Sequence, residues 1–166
     1  MRAVKKWAWI GAVLFGVGLF GGGVFMVSEA RAAHNDVRDA LAAERIITAE
    51  DAEIPLARVD SAAEAKAQAD IIQEHTLAIT EGKTYAELPR DDTRRNTYLQ
   101  AVTLRTALME SYLAFKVADL VQGVGVIVAA LGLSQVVLGL YLGLVVRSGR
   151  EQEALPAFAQ LPEPAR

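Results

Sequence analysis

Two long uncharged apolar runs lie near the ends of the chain, and they constrain its fold more than any other feature. The first covers residues 7–27, which are 21 residues without a charge. With a rise of about 1.5 Å per residue, such a helix just crosses a hydrocarbon core of about 30 Å. The second lies within residues 117–146, and its uncharged stretch begins after Asp119. The pattern predicts an all-α membrane protein with two antiparallel transmembrane helices.

A cleaved signal peptide is the competing interpretation of the first run, because Ala30-Arg31-Ala32 offers the small residues of a cleavage site. The apolar core of a signal peptide is about 7–15 residues long, and this run is longer. We therefore expect an uncleaved anchor, with Trp7 and Trp9 at the membrane interface.

Basic residues flank the outer ends of both runs. Arg2, Lys5 and Lys6 precede the first, and Arg147 and Arg150 follow the second. The positive-inside rule then places both termini of this multi-pass protein of the cell membrane in the cytoplasm. The expected order is a cytoplasmic N-terminus (1–6), a transmembrane helix (7–27), an extracytoplasmic helical domain (28–116), a second transmembrane helix (117–146) and a flexible cytoplasmic tail (147–166). The middle segment agrees, since it has 11 basic and 16 acidic residues.

Glycines recur at helical spacing in both runs. Those that share one face are Gly11, Gly18 and Gly22 in the first run and Gly125, Gly132, Gly139 and Gly143 in the second. Small residues let helix backbones approach closely in lipid, where packing drives association. Either glycine is simply common in membrane helices, or the two spans pack on each other, or one stripe faces a partner. We favour a helical hairpin with a partner, either another membrane protein or a second copy, on the remaining face.

The segment between the runs reads as a small helical domain. No proline or glycine separates the first run from residue 44, so that helix should continue outward. Pro55 lacks a donor and favours an extended connection. Ser61 and Glu64 form a capping box for a second helix, which should end at Gly82.

After Gly82 the sequence predicts a compact turn up to Pro89, and then one long helix from about Asp92 into the second run. The outer domain would consist of the extended ends of the two spans, with a shorter helix and a loop laid across them. The tail after Arg150 contains Pro156, Pro162 and Pro164 and no periodicity, so it should be flexible.

Four residues of this domain are candidates for contact with a partner. His75 lies one turn from Ile71 and Ile79, which favours a buried histidine bonded to a carbonyl or carboxylate, or else a pH-sensing contact or a ligand shared with a partner. Tyr85 and Glu87 lie on a loop between helices, a common position for contacts. The remaining candidate, Arg94, belongs to a charged run that is either a solvated helix start or a docking patch.

Composition narrows the chemistry further. The chain has no cysteine and two histidines, which excludes thiolate chemistry and most histidine-rich metal sites. A net charge of −3 argues against nucleic acid as a partner. We predict no catalytic residues, no metal ligands and no cofactor.

The sequence leaves two hypotheses for the function, which belong to different classes. The first is a non-catalytic structural or accessory membrane protein, a small subunit of a larger assembly. The second is an enzyme or metal-binding protein of the outer membrane face, which would use His75 with a carboxylate such as Glu74 or Glu87. A holin-like pore is a weaker third hypothesis, because the outer segment is long and patterned.

A family resemblance supports the same topology. The stretch Gln68-Ala69-Asp70-Ile71-Ile72, then Gly82-Lys83-Thr84-Tyr85-Ala86-Glu87-Leu88 and Asp91-Asp92-Thr93-Arg94, resembles small actinobacterial two-span membrane proteins. The Thr-Tyr-Ala-Glu-Leu turn is its most specific part, and Thr93 replaces an expected proline. The resemblance implies no established activity. Some family members bear the label aromatic-ring-opening dioxygenase, but such enzymes need iron ligands, and His34 and His75 lack a metal-type spacing.

Overall fold

The described part of the chain forms three α-helices. The computed structural model describes residues 2–154, with side chains from residue 7 to residue 148. Helix α1 covers Arg2–Glu44, α2 covers Ala62–Ile79 and α3 covers Arg94–Ala154. The described residues contain no strand, only one isolated bridge between Ile47 and Arg58. The prediction of an all-α chain is therefore confirmed.

Helices α1 and α3 are both long and apolar enough to cross a membrane. In their most apolar 18-residue windows only 11% and 17% of the residues are buried, whereas the core helix of a soluble protein is mostly buried. Large apolar side chains such as Leu14, Phe15 and Leu144 are 63% to 68% exposed. Two membrane-spanning helices are compatible with this exposure, since lipid covers such side chains.

Both long helices run without a break. Helix α1 continues from the first apolar run to Glu44, and α3 enters the second run from Arg94, as the lack of helix breakers predicts. Helix α3 also extends to Ala154, into the predicted tail, because Glu, Gln and Ala are good helix formers. The three prolines of the tail lie outside the described residues.

The chain divides into two compact units. The hairpin unit contains α1 up to Val27 and α3 from Gly123. Within it the two helices are antiparallel, because Trp9 contacts Gly143 while Gly23, further along α1, meets Ala129. This antiparallel arrangement agrees with the predicted helical hairpin.

The three-helix unit covers Ser28–Gln122. Its core combines side chains from α1, α2, α3 and the loop before α2, namely Leu41, Val59, Ala65, Ala69, Leu108 and Phe115. Phe115 is the largest fully buried side chain, and its ring centroid lies 4.7 Å from that of His34. Alanines on α2 let this short helix lie close to the two long ones.

The connection between α1 and α2 folds back on itself and is not simply extended. The backbone N–H of Thr48 donates to the carbonyl oxygen of Ala57 at 2.8 Å, and that of Val59 donates to Ile46 at 3.0 Å. The buried Thr48 Oγ1 accepts from the N–H of Ala57 at 2.8 Å. Gln68 of α2 accepts from the N–H of Ala49 at 2.9 Å, so this loop is attached to α2.

Helix α2 has the predicted start and an earlier end. Ser61 is its N-cap, accepts from the N–H of Ala63 at 3.2 Å and donates to the Glu64 carboxylate. The helix ends at Ile79, and the N–H of Gly82 donates to Leu77 at 2.7 Å in a Schellman-type turn. Glu81 also has a positive φ, so the left-handed backbone begins one residue before the predicted glycine.

Candidate functional site

His75 lies on the exposed surface of α2 and is paired with an acid. Its Nε2 is 2.7 Å from Oδ2 of Asp51, in the loop before α2. Both side chains are more than half exposed, so the expectation of a buried histidine is wrong. The hydrogen bond from His75 lowers the pKa of Asp51. The pair connects this loop to α2 in addition to the bond between Ala49 and Gln68.

Glu87 closes the turn that follows α2. Its Oε2 accepts from the N–H of Thr84 at 2.7 Å and from Thr84 Oγ1 at 2.8 Å. These bonds lower the pKa of Glu87. The Thr-Tyr-Ala-Glu-Leu turn is therefore a hydrogen-bonded helical turn, in which the carboxylate satisfies backbone and hydroxyl donors.

Tyr85 lies in the same turn, and the guanidinium group of Arg95 packs over its ring. The guanidinium carbon of Arg95 is 4.0 Å from the ring centroid, a geometry that favours cation–π attraction. Arg95 also donates to the carbonyl oxygens of Tyr85 at 3.1 Å and Leu88 at 2.7 Å. Leu88 is buried while Tyr85 is 38% exposed, so Arg95 fastens the turn to the start of α3.

Arg94 is held by two carboxylates. Its Nη2 lies 2.8 Å from Asp92 Oδ2, and its Nη1 lies 3.4 Å from Glu81 Oε1. Asp92 Oδ1 also accepts from the N–H of Arg94 at 2.8 Å and so caps α3. Hydrogen bonds within the pair lower the pKa of Asp92 and raise that of Arg94. The charged run around Arg94 therefore forms a capped helix start, which is one of its two interpretations, and its role as a docking patch stays a prediction.

The structure therefore separates the four candidate contact residues. Tyr85, Glu87 and Arg94 stabilise the turn between α2 and α3, whereas His75 stabilises the loop before α2. All four already interact within the chain. Their part in binding another protein stays a prediction.

The second span places its glycines against the first. A Cβ atom added to Gly125, Gly132, Gly139 or Gly143 would meet atoms of α1 at about 3 Å or less. Among these four glycines, a Cβ added to Gly132 would come nearest to α1, at the backbone nitrogen of Phe20. These four predicted packing residues therefore lie on the face that contacts α1.

The first span uses a different glycine face from the predicted one. Gly16 and Gly23 are buried against α3, and a Cβ added to either would meet α3 backbone atoms at less than 3 Å. Gly11, Gly18 and Gly22 have nothing within 4 Å of such a Cβ. Gly16 lies five residues after Gly11, or about 140° around the helix, so α1 has one glycine face covered by α3 and one open.

An open groove runs between α1 and α3 in the three-helix unit, and sequence reasoning missed it. It consists of two adjoining cavities of about 560 and 610 Å³, which share Glu110 and Ala114. We call it the α1–α3 groove. Its small lining side chains are Ala30, Ala33, Ala40, Ala107, Ala114 and Ala118. The alanine spacing on α1 indicated a helix, but nothing in it showed which face stays uncovered.

The charged residues that line the groove are three glutamates, Glu29, Glu44 and Glu110. All three are exposed. The core residues Leu41 and Leu108 form part of the wall, so the groove lies directly beside the packed interior. An apolar floor with an acidic margin can receive another helix.

In the part of the chain that the structure describes, no group of three or more histidine, cysteine, aspartate or glutamate side chains is placed to hold a metal ion. Comparison with known proteins adds no relative, since no protein-family model, no curated protein and no solved structure matches this chain.

Proposed function

We propose that the chain is a non-catalytic accessory membrane protein, a small subunit of a larger membrane assembly. It spans the cell membrane twice, with both termini in the cytoplasm and residues 28–116 outside. The orientation is supported by the basic residues that flank the two apolar helices.

The observation that carries the proposal is the second glycine face of α1. Gly16 and Gly23 serve the contact with α3, while Gly11, Gly18 and Gly22 face open space. Glycine lowers helix stability relative to alanine, and in lipid its advantage is close approach to another helix. One helix with two such faces is suited to contact two helices, of which this chain supplies one.

The α1–α3 groove adds a second surface of the same kind. It lies in the three-helix unit, and its apolar lining is open rather than covered by another part of the described chain. Exposed apolar surface flanked by charged residues is typical of protein interaction sites.

Gentle detergent extraction, affinity capture of the full chain and mass spectrometry test the proposal. We expect a co-purifying membrane protein in a fixed ratio to this chain, or a homo-oligomer. Gly18→Leu should reduce that ratio, because the leucine occupies the open face. Val17→Leu is the matched control, since Val17 is exposed on another face of the same helix. Recovery of the wild-type chain only as a free monomer would remove the proposal.

The alternative function is an enzyme or metal-binding protein of the outer membrane face. The observation in its favour is the exposed imidazole–carboxylate pair of His75 and Asp51, which supplies two of the ligand types that zinc and iron accept. Stoichiometric zinc or iron in the purified protein, lost in His75→Ala and kept in His34→Ala, would favour this function over the accessory one.

The orientation has its own test, because the chain has no cysteine. Single cysteines at Ser61 and Ser148 are treated with a membrane-impermeant thiol reagent in intact cells. We expect Ser61→Cys to be labelled and Ser148→Cys to be protected until the membrane is opened. The opposite pattern would reverse the topology.

A further inference from the structure

We propose that the α1–α3 groove binds one helix of a partner protein, an amphipathic helix whose apolar stripe is flanked by lysine or arginine. The inference rests on the proposed accessory function and names the chemistry of the partner at one surface. It is independent of the open glycine face of α1, which belongs to the hairpin unit.

The first argument is shape. The groove follows α1 from Glu29 to Glu44 and α3 from Leu104 to Val121, and Ile46 of the loop after α1 also lines it. At about 1.5 Å per residue this is about 25 Å, or about 17 residues of a third helix. Alanines along its floor let a helix approach closely, and Leu104 and Leu113, which are 45% and 60% exposed, offer apolar contact at its sides.

The second argument is charge. Every charged residue that lines the groove is a glutamate, while the arginines of the same segment of α1 do not line it. Arg38, for example, is 3.9 Å from Asp60. A helix with basic flanks would neutralise the three carboxylates, whereas an acidic or anionic occupant would be repelled.

The glutamate positions predict a spacing in the partner. Glu44 lies 15 residues after Glu29 on α1, or about 22 Å along the axis. Glu110 is five residues before Phe115, whose ring contacts His34, so it lies about five residues beyond His34 along α1. The basic residues of the partner should therefore be separated by about ten and then about five positions.

The same charges disfavour a second copy of this chain as the occupant. If two copies faced each other across a two-fold axis parallel to the helices, each glutamate would lie at the height of its own counterpart. Like charges placed opposite each other oppose association. A heterologous basic helix avoids this repulsion.

Two synthetic peptides of about 18 residues probe the groove. They share one leucine–alanine stripe, and one has lysine where the other has glutamate. The full chain is held in bilayer discs of zwitterionic lipid, and binding is measured by fluorescence anisotropy against empty discs. We expect the lysine peptide to bind at least about tenfold more tightly than the glutamate peptide, with a preference that falls as salt screens the charges.

Charge removal tests the site directly. The triple variant Glu29→Gln, Glu44→Gln and Glu110→Gln should lose most of the preference for the lysine peptide. Its matched control removes the same charge at exposed positions that do not line the groove, with Glu50→Gln, Glu74→Gln and Asp91→Asn. All six positions are exposed, and circular dichroism verifies folding in both variants.

A steric pair checks the same groove without changing charge. Ala40→Trp places a large ring in the groove and should weaken binding of the lysine peptide about tenfold or more. Ala43→Trp is its control, because Ala43 is exposed on the same helix but does not line the groove.

Three results would overturn the inference. Equal binding of the two peptides would indicate a groove that is merely apolar, such as one filled by lipid. A preference unchanged in the glutamine triple variant would place the charge effect elsewhere. Efficient disulfide dimers of Ala114→Cys in native membranes would make a second copy the occupant. If the two peptides bind equally while affinity capture still recovers the assembly of the wild-type chain, the accessory function stands and the groove assignment fails.

Discussion

The hairpin unit and the three-helix unit contain segments of the same two helices, yet they are packed by opposite means. In the hairpin unit the closest approaches are between backbones, as where Gly132 meets Phe20 and Gly23 meets Ala129. In the three-helix unit large side chains fill a core, and Leu108 and Phe115 are completely or almost completely buried. The helices thus change their packing chemistry along their length.

The difference in packing between the two units corresponds to a difference between water and lipid as surroundings. In water, burial of apolar area gains about 25 cal/mol per Å², so large side chains stabilise a core. In lipid the surroundings are as apolar as the side chains, and association depends on close packing and weak polar contacts. Substitutions at two glycines and at two large side chains can therefore test the comparison. The loss of stability in each variant indicates whether a unit is packed as proteins are in water or as they are in lipid.

The largest expected effect comes from the core of the three-helix unit. Phe115→Ala should lower the free energy of unfolding by about 3–5 kcal/mol, because it removes a fully buried ring and leaves a cavity beside His34. Equilibrium unfolding of the full chain in mild detergent, followed by circular dichroism, measures the loss.

Leu99→Ala is the control for this comparison, since Leu99 lies on α3 and is 51% exposed. It should lower the free energy of unfolding by less than about 1 kcal/mol, as substitutions at exposed positions usually do. Similar losses in the two variants would mean that the three-helix unit lacks a buried apolar core of the kind that is stable in water.

The second effect tests the glycine packing of the hairpin unit. Gly132→Ala should destabilise the pair of spans by about 1–3 kcal/mol, because the added methyl group meets the backbone of Phe20. Trp9 packs on Gly143, so its fluorescence during titration with a denaturing detergent, in a Trp7→Phe background, reports separation of the helices.

Gly18→Ala gives the sharpest contrast, because a Cβ atom at Gly18 meets nothing within 4 Å. In the isolated chain it should be neutral or slightly stabilising, since alanine favours a helix by about 1 kcal/mol over glycine. If both alanine variants lose equal stability, the two glycine faces of α1 are not distinct.

These faces also show where sequence reasoning works and where it stops. The capping box at Ser61 and the unbroken course of α1 and α3 follow from local chemistry, so the helices could be predicted. Which glycine face of α1 packs against α3 could not be predicted. The first span has glycines at several helical spacings, and the facing side chains of α3, such as Val136 beside Gly16, decide which of them pack.

The exposed position of His75 could not be predicted from its spacing either. Its spacing from Ile79 suggested an apolar face, but Ile79 is itself 52% exposed. The buried residues of α2 are Ala65, Ala67, Ala69, Ile71 and Thr76, so Ile71 belongs to the contact side of the helix while Ile79 and His75 do not. The candidate loop residues Tyr85 and Glu87 were identified from the sequence. Glu87 bonds to Thr84 within the same turn, whereas the contact of Tyr85 with Arg95 depends on where α3 begins.

A third, smaller effect concerns the turn between α2 and α3. Arg95→Ala should destabilise that turn by about 1–2 kcal/mol, because it removes the cation–π contact with Tyr85 and the bonds to the carbonyl oxygens of Tyr85 and Leu88. Amide hydrogen exchange of residues 82–92 should accelerate about five- to thirtyfold. Tyr85→Phe keeps the ring and should change exchange little. Faster exchange spread over the whole unit would contradict a local role.

The smallest effect is the pH dependence of the Asp51–His75 pair. Hydrogen bonding to His75 lowers the pKa of Asp51 in the folded chain. A lowered folded-state pKa means that the contribution of Asp51 to stability is present above the unfolded-state pKa and is lost as the pH falls through the folded-state value. Carboxyl chemical shifts should therefore give Asp51 a midpoint below that of an ordinary aspartate, and His75→Ala should move it back upward. Both side chains of the pair are exposed to solvent. The global stability of His75→Ala should therefore hardly change, and its amide exchange should increase only in the loop before α2. An unchanged Asp51 midpoint in His75→Ala would show that the pair does not form in solution.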